Sequence, residues 1–133
     1  MITMHLLQFL SNEGHGTIDE TLHWEKMPLN KDGVAIFSRG DVVTQRNSRV
    51  AQAFDLYSRD THDLYAADKL EKILETFWAN QPTCTLPAVP QYSNKVYQNT
   101  IIQPITNVEN LELDQEGKIV FRLSGRIIYE KGE

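Results

Sequence analysis

The sequence predicts an α+β domain in which two helices pack on one face of a mainly antiparallel sheet of about five to six strands, in the order α-β-β-β-α-β-β-β. Three observations lead to this prediction. Apolar residues recur at helical spacing in two separate stretches, and apolar and polar residues alternate in several short ones. Turn-forming residues separate these stretches. Two helices on one face of a mainly antiparallel sheet is the economical arrangement of these elements.

The length and composition of the chain predict one globular domain over residues 1–133. No apolar run approaches the roughly 20 residues of a membrane-spanning helix, so we expect no membrane partner. The apolar start of the chain lacks a basic region and a small-residue cleavage site, and we interpret it as a helix and not as a signal peptide. The net charge of −5 argues against gripping nucleic acid through its phosphates, which requires Lys and Arg.

The two helices are predicted over residues 2–12 and 61–79. The first carries apolar residues on one face and stops before Gly14, a residue that commonly ends helices. The second is the more regular element, because one half of its helical wheel is apolar and the other is charged. Its apolar half comprises Leu64, Ala67, Leu70, Ile73, Leu74, Phe77 and Trp78.

Three strands are predicted between the helices. Alternation over residues 17–26 and a short apolar run over 34–39 flank turn residues, which predicts a hairpin. The polar stretch 40–48 predicts an exposed loop before the third strand. In that strand Val50, Phe54 and Leu56 share one face.

After the second helix a proline-containing stretch predicts an ordered loop with room for one short edge strand. Strands follow over residues 95–105, 110–113 and 118–130, with a hairpin turn at 114–117 that places Gly117 in the left-handed region. In the last strand Gly125 interrupts the alternation, where we expect a bulge or bend.

The segment FDLYSRDTHDLYAADKL concentrates charged residues where the third strand leads into the second helix. Asp55 and Arg59 lie roughly 13 Å apart on one strand, too far for an ion pair. They therefore need cross-strand partners, for which Arg122 and Arg126 are candidates. Asp60, Thr61 and Asp63 fall at the predicted start of the second helix and are of the residue types that cap a helix start.

Motifs for catalysis, cofactor binding or metal binding are not found in the sequence, so we predict no catalytic residue, no cofactor and no metal. The histidines His5, His15, His23 and His62 are scattered and form no zinc-binding pattern. Cys84 is the only cysteine and has no nucleophile motif around it, so we expect a partly buried thiol. A triad assembled from distant residues stays open, because it escapes a linear scan.

Three stretches carry a resemblance to a known family: WEKMPLNKDGVAIFSRG, then FDLYSRDTHDLYAADKLEKILETF, then NTIIQPITNVENLELDQEGKIVFRLSGRIIYE. Their succession resembles the minor capsid and tail-terminator proteins of long-tailed, siphovirus-type bacteriophages. In that family a Met-Pro turn precedes a strand, an Arg-containing strand leads into a helix of similar pattern, and a C-terminal hairpin closes the domain.

The resemblance implies a structural virion protein of the tail, assembled in the host cytoplasm, and not an enzyme. Members of the family form a homo-oligomeric ring, commonly a hexamer, at the head-proximal end of the tail tube. The ring stops polymerisation of the tail-tube protein and docks to head-completion proteins. DNA passes through such a ring without specific binding, which suits an acidic protein.

Residues for a subunit interface are predicted on the polar loop and on the third strand, because long loops and unpaired strand edges are natural joining surfaces. They are Arg46, Arg49, Asp55, Tyr57 and Arg59, of which the last three are expected to be exposed on the sheet face away from the second helix. A head-tail joining or baseplate subunit is the related alternative. A small cytosolic enzyme or ligand-binding domain is the alternative of a different class.

Overall fold

The computed structural model describes residues 2–27, 32–44, 48–113 and 119–130. Over these residues it contains two helices and a seven-stranded sheet, which confirms the predicted α+β class. The additional strand is the short edge strand for which the proline-containing stretch left room. The elements are α1 (Ile2–Asn12), β1 (Leu22–Trp24), β2 (Gly33–Thr44), β3 (Arg49–Asp60), α2 (Asp63–Ala79), β4 (Cys84–Leu86), β5 (Tyr97–Pro104), β6 (Glu109–Leu113) and β7 (Ile119–Glu130).

The sheet is built around an antiparallel ladder between β3 and β7. Its register runs without interruption from Arg49 opposite Glu130 to Asp60 opposite Ile119. β2 lies on the other side of β3, while β5 and β6 both pair with the far edge of β7, at different positions along it. β1 and β4 form the two short ends of the strand order β1-β2-β3-β7-β5-β4. β3 and β7 are therefore interior strands.

The predicted hairpin between the first two strands is wrong. β1 pairs in parallel with β2, with Leu22 opposite Val34. Glu25 adopts a left-handed conformation with φ 57°, so the chain leaves the strand direction directly after Trp24. Turn residues in the sequence indicate that the chain changes direction, but they do not indicate how many times it does so.

The predicted loop over residues 40–48 is partly wrong, because β2 continues to Thr44. The register with β3 shifts between Arg39 and Val43, which marks a bulge, and Gly40 within it has a φ of 70°. The side-chain amide of the buried Gln52 donates to the carbonyls of Arg39 and Gly40 at 3.3 and 3.1 Å. A bulge breaks the alternation that identifies a strand, so this segment has the pattern of a loop.

Of the bulge or bend expected at Gly125, the bulge is wrong, since the β3–β7 register is continuous there, and the bend stays a prediction. The glycine instead makes room for a neighbour. A methyl group at this position would lie 2.9 Å from the Phe54 ring and 2.9 Å from the backbone oxygen of Gln103. The predicted turn at 114–117, with Gly117, lies outside the described residues.

Both helices pack on one face of the sheet, here called the inner face. The faces predicted for β3 and β7 are confirmed, since Phe54, Leu56, Leu123 and Ile127 belong to the core between sheet and helices. The apolar half predicted for α2 is only partly correct. Its buried stripe is Ala66, Leu70, Ile73 and Phe77, whereas Leu64 and Trp78 are 77% and 59% exposed.

Two histidines connect α1 and the turn after it to the rest of the fold. The Nδ1 of His5 lies 2.8 Å from the carbonyl oxygen of Pro87, and the Nε2 of His15 lies 2.6 Å from the hydroxyl of Thr76 in α2. Burial lowers the pKa of both imidazoles below the ordinary value of 6.5. Protonating either ring therefore opposes folding.

Replacing Gly125 with alanine should lower the free energy of unfolding by about 1–3 kcal/mol, because the added methyl group must displace an aromatic ring and a backbone carbonyl. Urea titration of the purified variant measures the loss. In a Phe54→Leu background the same substitution should cost less, because the ring contact is gone. An equal cost in both backgrounds would show that the ring is not what excludes the side chain.

The free energy of unfolding should fall as the pH is lowered through about 6.5, since the unfolded histidines bind protons there more readily than the folded ones. The loss continues down to the lowered pKa values of His5 and His15. Denaturant titrations between neutral and mildly acidic pH measure the slope. A variant with both His5→Gln and His15→Gln should show a smaller slope; the wild-type slope in that variant would contradict this assignment.

Candidate functional site

The candidate site lies on the sheet face opposite the helices, here called the outer face. Alternation along β3 places Asp55, Tyr57 and Arg59 on this face, as predicted. Opposite them in the ladder stand Ser124, Arg122 and Val120 of β7, and on the other side Phe37, Ala35 and Gly33 of β2. The register thus places three polar side chains of the charged segment 54–70 on one surface.

The expected exposure of these residues is wrong. Asp55 and Arg59 are only 8% and 5% exposed, and Tyr57 is half-buried. β3 has a strand on each side, so residues of β2 and β7 flank both side chains and help to cover them. The pattern of the sequence identified the face correctly but gave no information about this covering.

Asp55 is the polar centre of the outer face. Its Oδ1 accepts a hydrogen bond from the hydroxyl of Ser124 at 2.5 Å, and Arg39 of β2 lies 3.7 Å away. The predicted partners are displaced from it, because Arg122 stands opposite Tyr57 and Arg126 opposite Ala53. Sequence reasoning missed Arg39 and Ser124, since identifying them requires the register of both strand pairs.

One end of the outer face carries an apolar pocket of about 470 Å³, here called the Phe37 pocket. The rings of Phe37 and Tyr57 meet edge to face, with centroids 5.5 Å apart. The Arg122 guanidinium makes one hydrogen bond to the Tyr57 side chain and another to the Glu109 carboxylate. Both raise the pKa of Arg122, the bond to Tyr57 more than the bond to Glu109. The pocket is lined by Met27, Phe37, Tyr57, Arg59 and Val120.

The other end of the outer face carries a shallow groove of about 410 Å³, here called the alanine groove. The methyl groups of Ala51 and Ala53 are among its lining, and Val43 and Ile105 contribute exposed apolar side chains. The Nε of Arg126 donates to the Gln103 side chain at 2.5 Å. The groove is lined by Arg39, Gly40, Val43, Ala51, Ala53, Ile105 and Arg126.

The two arginines predicted at the polar loop before β3 have different outcomes. Arg46 lies outside the described residues. Arg49, at the start of β3, donates to the carbonyl of Asn99 at 3.2 Å and lies 3.9 Å from the Glu130 carboxylate. Arg49 therefore helps to hold the ends of β3 and β7 to β5, and its role at a subunit interface stays a prediction.

The polar residues before α2 act at the helix start, though not in the way predicted. The helix begins at Asp63, and its N-cap residue His62 makes no side-chain capping bond. Asp60 accepts hydrogen bonds from the His62 amide at 3.0 Å and from Lys69 at 3.1 Å. Partial burial acts to raise the pKa of Asp60, but these hydrogen bonds lower it below its ordinary value. The side chain of Asp63 lies outside the part of the structure that is described.

Cys84 and the other described side chains that could act as nucleophiles or metal ligands do not form a cluster on this face. Burial, and to a lesser extent Glu13, raises the pKa of the Cys84 thiol to about 11, so the thiol stays protonated at neutral pH. In the part of the chain that the structure describes, no three His, Cys, Asp or Glu side chains come together in a way that could hold a metal ion. Neither described helix is long and apolar enough to cross a membrane.

Comparison with known proteins adds no relative, since no protein-family model and no curated protein sequence matches this chain.

Replacing Asp55 with alanine should lower the free energy of unfolding by about 1–3 kcal/mol, because the buried hydroxyl of Ser124 loses its acceptor. Asp68→Ala is the matched control, since the Asp68–Lys72 pair is exposed on α2 and should contribute at most about 1 kcal/mol. Thermal unfolding of Ser124→Ala and of the double variant with Asp55→Ala completes a double-mutant cycle. Additive losses would contradict a coupled Asp55–Ser124 pair.

Proposed function

We propose that this protein is a tail terminator of a siphovirus-type bacteriophage. It forms a ring, with six copies favoured, at the head-proximal end of the tail tube. There it stops addition of the tail-tube protein and joins the tail to a head-completion protein. Its place is in the virion, after assembly in the host cytoplasm.

One observation carries this proposal. The three stretches that resemble the tail-terminator family span residues 24–40, 54–77 and 99–130, and they supply adjacent parts of the fold. They contribute β2, β3 and β7, which are consecutive neighbours in the sheet, and α2, which packs on β3 and β7. The resemblance therefore covers one contiguous structural unit, which supports the proposal.

The distribution of exposed apolar side chains supports an assembly role. Val43 and Ile105 border the alanine groove on the outer face, while Leu64 and Trp78 are exposed on α2, which lies on the inner face. A closed ring needs two different patches on each subunit, because its interfaces are heterologous. Two separate patches on one chain meet this requirement.

The net charge of −5 is compatible with a lumen through which DNA passes. Like charge keeps DNA from binding to the wall, so it remains mobile. The proposal does not assign a particular face of the domain to this lumen.

A second candidate function, ligand binding, is favoured by the Phe37 pocket. Its volume of about 470 Å³ falls within the range of small-molecule sites, and its walls are apolar apart from Arg59 and the Tyr57 hydroxyl. Such a pocket would suit an apolar carboxylic acid, with its carboxylate near the guanidinium.

Imaging and native mass spectrometry of the purified chain separate the two functions. A tail terminator should give a closed ring with a mass of several copies, and adding it to polymerising tail-tube protein of the same phage should shorten the tubes. A chain that stays monomeric at every concentration, and whose melting temperature rises with an apolar carboxylic acid, would overturn the proposal in favour of ligand binding.

A further inference from the structure

We infer that a second copy of this chain occupies the alanine groove and inserts the exposed acidic and apolar stripe of its α2 helix. The inference rests on the proposed function, because it names the two surfaces through which neighbours in the ring would meet. It assigns roles to Arg39 and Arg126 on one copy and to Glu71, Glu75 and Trp78 on the next.

The stripe on α2 is formed by Leu64, Glu71, Glu75 and Trp78. At 100° per residue these four positions fall within about 60° of arc, and they span about 21 Å along the helix. All four side chains are exposed. The stripe lies on the solvent-facing side of the helix, roughly opposite the buried face formed by Ala66, Leu70, Ile73 and Phe77. Leu64 and Trp78 offer exposed apolar contact area at the two ends of the stripe, with the two carboxylates between them.

The alanine groove has the shape and chemistry to accept this stripe. Its alanine side chains leave the strand backbone close to the surface, so a ridge of larger side chains can approach. Val43 and Ile105 offer apolar contact area, being 62% and 55% exposed. Among its described lining residues two are cationic and none is anionic.

The charges of the two surfaces are complementary. Glu71 and Glu75 lie one helical turn apart and repel each other, whereas the neighbouring Asp68 is paired with Lys72 at 3.0 Å. In the groove, Asp55 offsets part of the charge of Arg39, and Arg126 contacts the neutral amide of Gln103. When the groove of one copy contacts the stripe of the next, Arg39 and Arg126 would relieve the repulsion between the Glu71 and Glu75 carboxylates.

A second copy is the occupant that these observations favour. The complementary surfaces lie on the two opposite sides of one sheet, so the contact between copies is head to tail. Head-to-tail contacts build rings when the rotation closes and open filaments when it does not. Trp78 is the type of residue that anchors such interfaces in a pocket of small side chains.

Charge exchange tests the inference. One variant carries Glu71→Arg and Glu75→Arg, and another carries Arg39→Glu and Arg126→Glu. Each alone should weaken assembly of the purified chain at least about tenfold in apparent dissociation constant, measured by mass photometry. Mixing the two should restore assembly, because each then meets its opposite charge. Glu13→Arg with Glu20→Arg makes a matched charge change at exposed sites away from both surfaces and should assemble like the wild type.

Cysteine trapping provides a second measurement if a charge variant fails to fold. Val43→Cys and Trp78→Cys replace exposed residues and are made separately in a Cys84→Ser background. When the two are mixed under oxidising conditions, a disulfide between different copies should form. No disulfide between them, or an unchanged assembly of the charge variants, would overturn the inference.

The outcomes also separate this inference from the proposed function. A closed wild-type ring that tolerates both charge reversals would reject these surfaces and keep the tail terminator. Open filaments that depend on the exchanged charges would keep the surfaces and reject a ring. A wild-type chain that never associates would reject both.

Discussion

The antiparallel ladder between β3 and β7 is the constraint on which the rest of this structure depends. Because its register is unbroken over 12 residues of each strand, every side chain of both strands is assigned to one face. At its middle, Phe54 and Asp55 stand opposite Gly125 and Ser124. The inner face there holds an aromatic ring over a glycine, and the outer face holds a buried carboxylate bonded to a hydroxyl.

These two contacts oppose a slip of the register. Shifting β7 by one residue would place Ser124 opposite the Phe54 ring and Leu123 opposite Asp55, exchanging the faces of the whole strand. The ladder thus keeps the apolar side chains toward α1 and α2 and the polar ones toward the outer face. The Phe37 pocket and the alanine groove take their positions from the same register, since both are formed by side chains of β2, β3 and β7.

The sequence allowed prediction of the features that depend on local periodicity. The bounds of α1, the faces of β3 and β7, and the presence of α2 follow from spacing alone. Three features depend on tertiary contacts and were missed: the parallel direction of β1, the burial of Asp55 and Arg59, and the rotation of α2 about its axis. The apolar residues of α2 spread over half of the helical wheel, so the wheel could not show which part of that half would face the sheet and that Trp78 would remain exposed. Identifying Arg39 and Ser124 as the partners of Asp55 required the registers of β2 and β7 against β3, and the periodicity of a single strand does not contain them.

A sheet with a polar, grooved outer face and a helix whose exposed flank is acidic and apolar is suited to joining copies of itself. Hydroxyl-radical footprinting of the purified chain at low and high concentration would show whether these two sides meet. Oxidation of Trp78 on α2 and of Ile105 at the alanine groove should fall together as the concentration rises, while Tyr92, 75% exposed in a loop outside both surfaces, keeps its reactivity. Equal oxidation of Trp78 and Ile105 at all concentrations would contradict assembly through these faces.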